Sequence, residues 1–217
     1  MRMVVFTAVI GQTEALQSPW VIGRNVRYLC FSDQPVQVPP YEWVPVEAGD
    51  DTPRRASRRV KILQAHPILQ SADLTLWHDA SYRLTRDPHW AVKRLAAADI
   101  VAMRHPRRAT IELEALAIAR YGYVTVDQAE ANVARYRAEG FDGGLTSAGL
   151  LGRHRSDRID AFNALWWQES QDQWGGRDQG SIDYAAWKTG ASITYIPGTV
   201  KANQYAAFRP IREARPT

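Results

Sequence analysis

The chain has 217 residues, of which 45% are hydrophobic and 23% are charged, and its formal net charge is +4. This length suits one well-buried domain, residues 1–217, and is short for two. No apolar run approaches the roughly 20 residues that a membrane-spanning helix needs, so we expect no membrane span.

The single cysteine and the N-terminal sequence indicate the cellular compartment. Cys30 lies within the apolar run 26–31, which excludes an internal disulfide and indicates a buried thiol in a reducing compartment. Residues 1–6 are followed too early by the polar segment 11–14 to form the core of a signal peptide. We therefore expect a cytoplasmic protein.

The first half of the chain predicts strands and one long helix. Residues 3–10 are nearly all apolar, which is typical of a central strand buried on both faces. Further strands are predicted at 26–32, 43–46 and 74–77. Thr52 followed by Pro53 predicts a helix start, and we expect this helix to reach about Leu69.

This predicted helix carries an apolar stripe and a basic stripe. The apolar stripe, which should pack on the sheet, consists of Ala56, Val60 and Leu63. The basic residues on the opposite side are Arg54, Arg58 and Lys61. A basic stripe opposite the core ordinarily faces water, and it would serve a ligand only if the helix lies at the rim of a site.

The second half of the chain continues the alternation of helices and strands. Asp87 followed by Pro88 predicts another helix start, and Thr125 with Gln128 predicts a capping box. The predicted helices span 90–98, 110–120, 125–139, 156–169 and 182–189. The predicted strands span 100–103 and 192–196, with a short apolar stretch at 145–151, and the tail from about residue 198 should be loosely ordered at best. This alternation indicates an α/β fold with a mainly parallel, mixed sheet flanked by helices.

Basic residues are concentrated in three clusters, within residues 54–61, 104–108 and 153–158. Such clusters suit the phosphates of a nucleotide or of nucleic acid. Arginine faces in water explain any single cluster equally well. The charge pattern alone therefore leaves the partner open.

The segment 74–81 delivers an acid, Asp79, and a hydroxyl, Ser81, to the end of an apolar strand. Ligands of open α/β sheets bind outside the carboxyl ends of strands, so Asp79 is placed to meet a ligand or a metal ion. An aspartate that merely starts a turn is the simpler interpretation. The chain lacks the glycine fingerprints of dinucleotide and P-loop sites, the Gly-x-Ser-x-Gly elbow and a helical His-Glu pair, which disfavours the corresponding enzyme classes.

Seven short segments follow one another in a characteristic order. They are 4–8 with Gly11, 28–33, 58–62, 77–81, 105–107, 166–167 and 177–179. In order and spacing, from about residue 3 to 185, they resemble the glycosyltransferase-like family named after plant turgor-regulation and seed-mucilage proteins. The resemblance implies a GT-A-like (Rossmann-like) fold and transfer of a sugar from a nucleotide-sugar donor to an acceptor hydroxyl. Among nucleotide sugars, a UDP-sugar is the expected donor.

The resemblance also implies contacts between individual residues and the donor. Thr7 and Ala8 would line the nucleotide pocket, and Asp33 would lie near the base or the ribose. Arg58 and Lys61 would contact the diphosphate.

Further implied roles concern a cation and catalysis. Asp79 and Ser81 stand where related transferases have an Asp-x-Asp motif that holds a divalent cation on the diphosphate. Because Ser81 replaces the second acid, Mn²⁺ or Mg²⁺ on Asp79 would need another protein ligand or more waters. Asp178, with Gln179, would lie near the reacting carbon. Asp178 would take the acceptor proton in an inverting reaction or orient the donor in a retaining one.

The acceptor and two other functional classes stay open at this point. An anionic acceptor would suit the basic surface. It could be a glycan, or DNA with a hydroxylated base, and that base would have to be extruded from the duplex to reach the site. A metal-dependent hydrolase using Asp79 with His78 or His105 is a second possibility. A nucleic-acid-binding module without activity is a third.

Overall fold

A computed structural model of the protein describes residues 1–11, 16–199 and 201–208. The strands in these ranges are β1 (Met3–Val9), β2 (Val26–Ser32), β3 (Glu42–Pro45), β4 (Leu74–His78), β5 (Tyr82–Leu84), β6 (Ile100–Arg104), β7 (Thr146–His154), β8 (Ile193–Tyr195) and β9 (Ala206–Phe208). The helices are α1 (Pro53–Leu63), α2 (Pro67–Gln70), α3 (Trp90–Leu95), α4 (Ile111–Arg120), α5 (Val126–Ala138), α6 (Asp157–Asp172) and α7 (Ile182–Thr189). None of these helices is both long and apolar enough to cross a bilayer.

Seven strands form one sheet in the order β3-β2-β1-β4-β7-β6-β8. All neighbours in this sheet are parallel except β7, which runs antiparallel to β4 and β6. Every residue of β1 is buried, because side chains alternate between two covered faces and both sets are apolar apart from Thr7. The predicted α/β fold with a mainly parallel, mixed sheet is confirmed.

Helices and strands cover the sheet on both sides. On one side α1, α6 and α7 pack against Phe6, Ala8 and Trp77. On the other side α3 and the small β5–β9 sheet pack against Val5 and Leu76. A third apolar cluster joins α4 and α5 to the aromatic rings of Trp174 and Tyr184. Cys30 is buried and free, as predicted, while the cytoplasmic location stays a prediction.

Two predicted helices are shorter than expected. The helix from Pro53 ends at Leu63 and not near Leu69, because Gln64 takes a left-handed conformation with φ of 51°. A separate turn of helix then starts at Pro67, whose ring forces the preceding residue out of the helical region. The helix predicted over 90–98 ends at Leu95. Asp87 is not its N-cap, although its carboxylate accepts a hydrogen bond from the His89 N–H.

Other boundaries differ in the second half of the chain. The capping box of Thr125 and Gln128 is confirmed. Of the apolar stretch 145–151, residues 146–151 belong to the longer strand β7. Within the tail expected to be loosely ordered, β9 pairs with β5. Residues 209–217 lie outside the described residues, so the assignment of all of 1–217 to one domain stays a prediction.

Candidate functional site

A cleft of about 1140 Å³ opens at the carboxyl ends of β1 and β4. The first residues of β7, the N-terminal turns of α1 and the loop 175–179 complete its walls. Parallel strands end at one edge of a sheet, and the loops that follow them leave a crevice there. The basic residues that line it are Arg54, Arg55, Arg58, Lys61 and Arg177, and the acidic ones are Asp79, Asp172 and Asp178.

Asp79 lies on the floor of this cleft. Side chains alternate along β4, so Asp79 faces the same side as Trp77, whose Nε1 donates a hydrogen bond of 2.8 Å to Asp79 Oδ1. Its backbone N–H donates to the carbonyl oxygen of Gly149. Partial burial between the cleft walls raises the pKa of Asp79, and the charge of Lys61 offsets only part of this effect. Since 44% of its side chain remains exposed, the carboxylate is open to the cleft.

His78 faces the opposite side of the sheet. Its Nε2 is 2.8 Å from the Tyr41 hydroxyl, and the residue is fully buried. Burial lowers the pKa of His78 to about 4, so the ring is neutral at pH 7. The pairing of Asp79 with His78 that a hydrolase would use is therefore not formed, because neighbouring residues of a strand point in opposite directions.

His105 does not line the cleft either. Its Nδ1 accepts hydrogen bonds from the backbone N–H groups of Arg107 and Arg108. Burial, together with the charge of Arg108, lowers the pKa of His105 to about 4. His105 therefore stabilises its own loop, and neither histidine proposed for a hydrolase shares the cleft with Asp79.

Lys61 lies between the two acids on the cleft floor. Its Nζ is 2.6 Å from Asp178 Oδ2 and 4.0 Å from Asp79 Oδ1. The ammonium also lies 5.8 Å from the ring centre of Trp77 and 5.7 Å from that of Trp166, within the range of cation–π attraction. Only 7% of the side chain is exposed. These contacts fix the position of the charge.

Arg58 lies one turn before Lys61 on α1 and points into the same cleft. Its Nη1 donates to the Gly176 carbonyl at 2.5 Å, and its Nε is 3.7 Å from Asp178 Oδ1. The helix therefore lies at the rim of the site, the condition under which its basic residues could serve a ligand. The expected apolar stripe is partly wrong, because Ile62 is fully buried while Leu63 is only partly so.

Asp178 is held by its backbone as well as by its carboxylate. The indole N–H of Trp166 donates to the Asp178 carbonyl oxygen at 2.8 Å. Burial alone would raise the pKa of Asp178, but the charges of Lys61, Arg58 and Arg177 outweigh burial and hold it below its usual range. A carboxylate with this pKa and these partners is a weak base.

Tyr123 and Arg177 also line the cleft, and Tyr123 lies against the N-terminal part of α1. Arg177 Nη2 donates to Gln179 Oε1 at 2.6 Å, and its guanidinium lies 5.8 Å from the ring centre of Tyr123. The Tyr123 hydroxyl accepts a hydrogen bond from Arg54. Gly175 lets the loop pass here, since an added Cβ would lie 2.1 Å from the Tyr123 carbonyl oxygen. Nothing in the sequence around Tyr123 indicates a site, and it was not predicted.

Most of the predicted site residues meet in this cleft. Those that line it are Ala8, Arg58, Lys61, Asp79, Ser81, Asp178 and Gln179. Their proximity is a property of the fold, and their chemical roles stay predictions.

Thr7 and Asp33 do not line the cleft. Thr7 is fully buried, and the alternation along β1 turns it away from Ala8, towards the layer of α3. Thr7 therefore does not line the cleft, and its expected contact with a nucleotide stays a prediction. Asp33 accepts hydrogen bonds from the Gly11 N–H at 3.0 and 3.2 Å, and Gly11 lies against the ring of Pro53 at the cleft rim. Its contact with a ribose or a base stays a prediction.

The residues around Asp79 do not fit a divalent cation site. Within residues 1–11, 16–199 and 201–208, no three His, Cys, Asp or Glu side chains gather closely enough to hold a metal ion. The neighbouring acid, Asp178, is already paired with Lys61. A hard cation prefers about six oxygen ligands, of which Asp79 and Ser81 would supply few.

The fold and the cleft define a class of protein, namely a Rossmann-like α/β protein with a basic crevice at its strand ends. Residues 47–196 match the family described as TOD1/MUCI70, glycosyltransferase-like domain. The match covers more than half of the chain, so the chain belongs to this family, and the resemblance found in the sequence is confirmed. No curated protein matches the chain. The matched region contains α1, β4 and the loop 175–179.

Proposed function

We propose that the protein transfers a sugar from a nucleotide-sugar donor to an acceptor hydroxyl, with a UDP-sugar as the first donor to test. The observation that carries this proposal is the convergence of Arg58, Lys61 and Arg177 on one strand-end cleft. One guanidinium group can donate to two phosphate oxygens at once. A diphosphate is the anionic part that these nucleotide-sugar donors share. Membership of a glycosyltransferase-like family supports the same class of activity.

The size of the cleft supports two substrates. A volume of about 1140 Å³ exceeds the roughly 300–1,000 Å³ of ordinary small-molecule pockets. The donor would therefore leave room for part of an acceptor beside Arg54 and Arg55 at the rim. The acceptor stays open, and an anionic one, such as a glycan or DNA with a hydroxylated base, would meet these positive charges.

The two cleft acids suit different tasks. Asp79 is open to the cleft and its pKa is raised, which brings it closer to the pH at which a general base works best. Asp178 holds Lys61 and Arg58 in place and would have to give up its ion pairs to accept a proton. In the proposed reaction Asp79 accepts the proton of the acceptor hydroxyl, and Asp178 orients the cations that meet the diphosphate.

Calorimetric titration with UDP, GDP and a panel of nucleotide sugars tests the proposal. We expect micromolar to millimolar binding of one nucleotide class and slow hydrolysis of the matching donor sugar. Arg58→Met should weaken nucleotide binding about 10-fold or more, because a charge-assisted hydrogen bond contributes about 1.5–3 kcal/mol. Arg94→Met, which changes an exposed arginine of α3 outside the cleft, serves as the matched control.

Two results would contradict the proposal. One is the absence of binding and hydrolysis for every nucleotide and nucleotide sugar of the panel. The other is DNA binding that falls steeply with salt and ignores Arg58→Met, which is the behaviour of a nucleic-acid-binding module without a nucleotide site.

A further inference from the structure

The cleft floor already contains a positive charge at the place where a cation would meet the donor. The Lys61 ammonium contacts Asp178 directly and lies 4.0 Å from Asp79 Oδ1. Two indole rings, of Trp77 and Trp166, lie less than 6 Å from it. The charge is therefore built into the fold and does not depend on an ion from solution.

The oxygens that a metal ion would use are largely engaged. Asp178 Oδ2 accepts from Lys61, and Asp178 Oδ1 lies 3.7 Å from Arg58 Nε. Asp79 Oδ1 accepts from the Trp77 indole. The second oxygen of Asp79 and the hydroxyl of Ser81 remain, which is a small share of the ligands that Mn²⁺ or Mg²⁺ requires. An ion bound there would also be repelled by the fixed ammonium of Lys61.

Arginines supply the rest of the positive charge. Arg58 lies beside Lys61 on α1, and Arg177 faces them from the loop 175–179. Both side chains are mostly buried, with 13% and 26% of their surface exposed, and hydrogen bonds to Gly176 and Gln179 orient them. Pre-oriented guanidinium groups bind a diphosphate with little loss of conformational freedom.

We infer that this protein binds the diphosphate of its donor without a divalent metal ion, and that Lys61, with Arg58 and Arg177, neutralises the charge that a metal neutralises in Asp-x-Asp transferases. This inference rests on the proposed nucleotide-sugar site. It accounts for the serine at position 81, where related transferases have a second acid. If the Lys61 ammonium takes the place of the metal ion, there is no metal for a second acid to bind.

The test is UDP binding measured by calorimetry in EDTA, and again with Mn²⁺, combined with electron paramagnetic resonance of free Mn²⁺. We expect the Kd for UDP to change less than about 3-fold between the two conditions. The signal of free Mn²⁺ should be the same for UDP alone and for UDP with protein. Lys61→Met should weaken UDP binding at least about 10-fold in both conditions, while Lys93→Met, at an exposed lysine of α3, should not.

A second variant guards against a Lys61→Met protein that fails to fold. Lys61→Arg keeps the charge and should retain UDP binding in EDTA. The double variant Lys61→Met with Ser81→Asp removes the ammonium and restores two acids, so it should gain binding of Mn²⁺ in the presence of UDP. If both variants unfold, as judged by circular dichroism, the wild-type titrations alone decide.

The outcomes separate this inference from the proposal on which it rests. UDP binding that tightens more than about 10-fold with Mn²⁺, with loss of the free Mn²⁺ signal, would overturn metal independence and leave the nucleotide-sugar site intact. Absence of UDP binding in both conditions, with no other nucleotide of the panel bound, would overturn both.

Discussion

Two buried cations contact the ring of Trp166, and they differ in what surrounds them. Arg153 is fully buried and lies 5.9 Å from the ring centre, while Lys61 lies 5.7 Å from it. Arg153 donates to the carbonyl oxygens of Lys61 and Ile62 at 2.5 and 3.1 Å and to Asn163 Oδ1 at 2.5 Å. These partners are neutral, whereas the partners of Lys61 are carboxylates that border an open cleft.

The difference separates a cation that stabilises the fold from one that is available to a ligand. The carbonyl groups at the end of a helix lack partners within the helix, and Arg153 satisfies two of them in the last turn of α1. Burial lowers the pKa of Arg153 to about 9, so its charge is present at pH 7, where the dipoles of these acceptors and the ring of Trp166 stabilise it. Arg153 thereby fixes the turn that carries Lys61, but it does not reach the cleft.

The largest effect on stability is expected from Arg153→Met. The substitution leaves buried acceptors on α1 and α6 without a donor, so the free energy of unfolding should fall by about 2–3 kcal/mol. UDP affinity of the folded protein should stay within about 3-fold of the wild type. Urea unfolding and calorimetry measure the two quantities, with Arg155→Met at an exposed neighbour as control. Lost UDP affinity at unchanged stability would show that the comparison is wrong.

A smaller loss is expected from Asp178→Asn, about 1–2 kcal/mol at pH 7, because the amide oxygen still accepts from Lys61 and Lys61 keeps Asp79 as a neighbour. The pKa of Asp178 is lowered in the folded protein, so its stabilising contribution is complete above the unfolded pKa of about 4 and is lost as the pH falls through the folded pKa. The stability difference between wild type and variant should therefore shrink below pH 4. Urea unfolding between pH 2 and 7 measures it, with the exposed Asp50→Asn as control; a difference that is independent of pH would contradict the ion pair.

The smallest change in stability, and a gain instead of a loss, is expected from Asp79→Asn. The pKa of Asp79 is raised, so its carboxylate weakens the fold as the pH rises from the unfolded to the folded pKa. The amide removes this cost and still accepts from Trp77, so stability at pH 7 should rise by less than about 1 kcal/mol. Donor turnover should fall about 10²-fold or more if Asp79 is the base. Unchanged turnover, measured beside urea unfolding, would assign that task elsewhere.

The strands were predictable where burial alone determines the sequence. The apolar runs of β1, β2 and β4 predict strands that are covered on both faces. The position of Asp79 at the edge of the sheet follows from the end of β4. The strands β5 and β9 have only three residues each, too few to show such a pattern. They form by pairing with each other, and the two segments lie far apart in the chain. The early end of α1 depends on the left-handed Gln64, a residue type that ordinarily continues a helix.

The candidate site was predictable as a set of residues but not as a set of contacts. The family resemblance predicted that Lys61 and Asp178 lie at one site. Their ion pair joins residues 117 positions apart and depends on how the loop after α6 meets α1. Arg153 stands in a basic cluster of the sequence that suggests a surface, whereas β7 turns it into the core. Charge clustering along the chain does not reveal which side chain of a strand points inward.

The position of β1 within the sheet determines which truncated forms of the protein can keep the fold. The segment that matches the family, residues 47–196, begins after β1, β2 and β3 and ends before β9. A fragment with these ends would lose the strand that pairs with β4, together with the cleft wall formed by Ala8. The bare edge of β4 would then invite pairing with another chain. Soluble protein for the experiments above therefore requires the chain from Met3 to Phe208, well beyond the family boundaries.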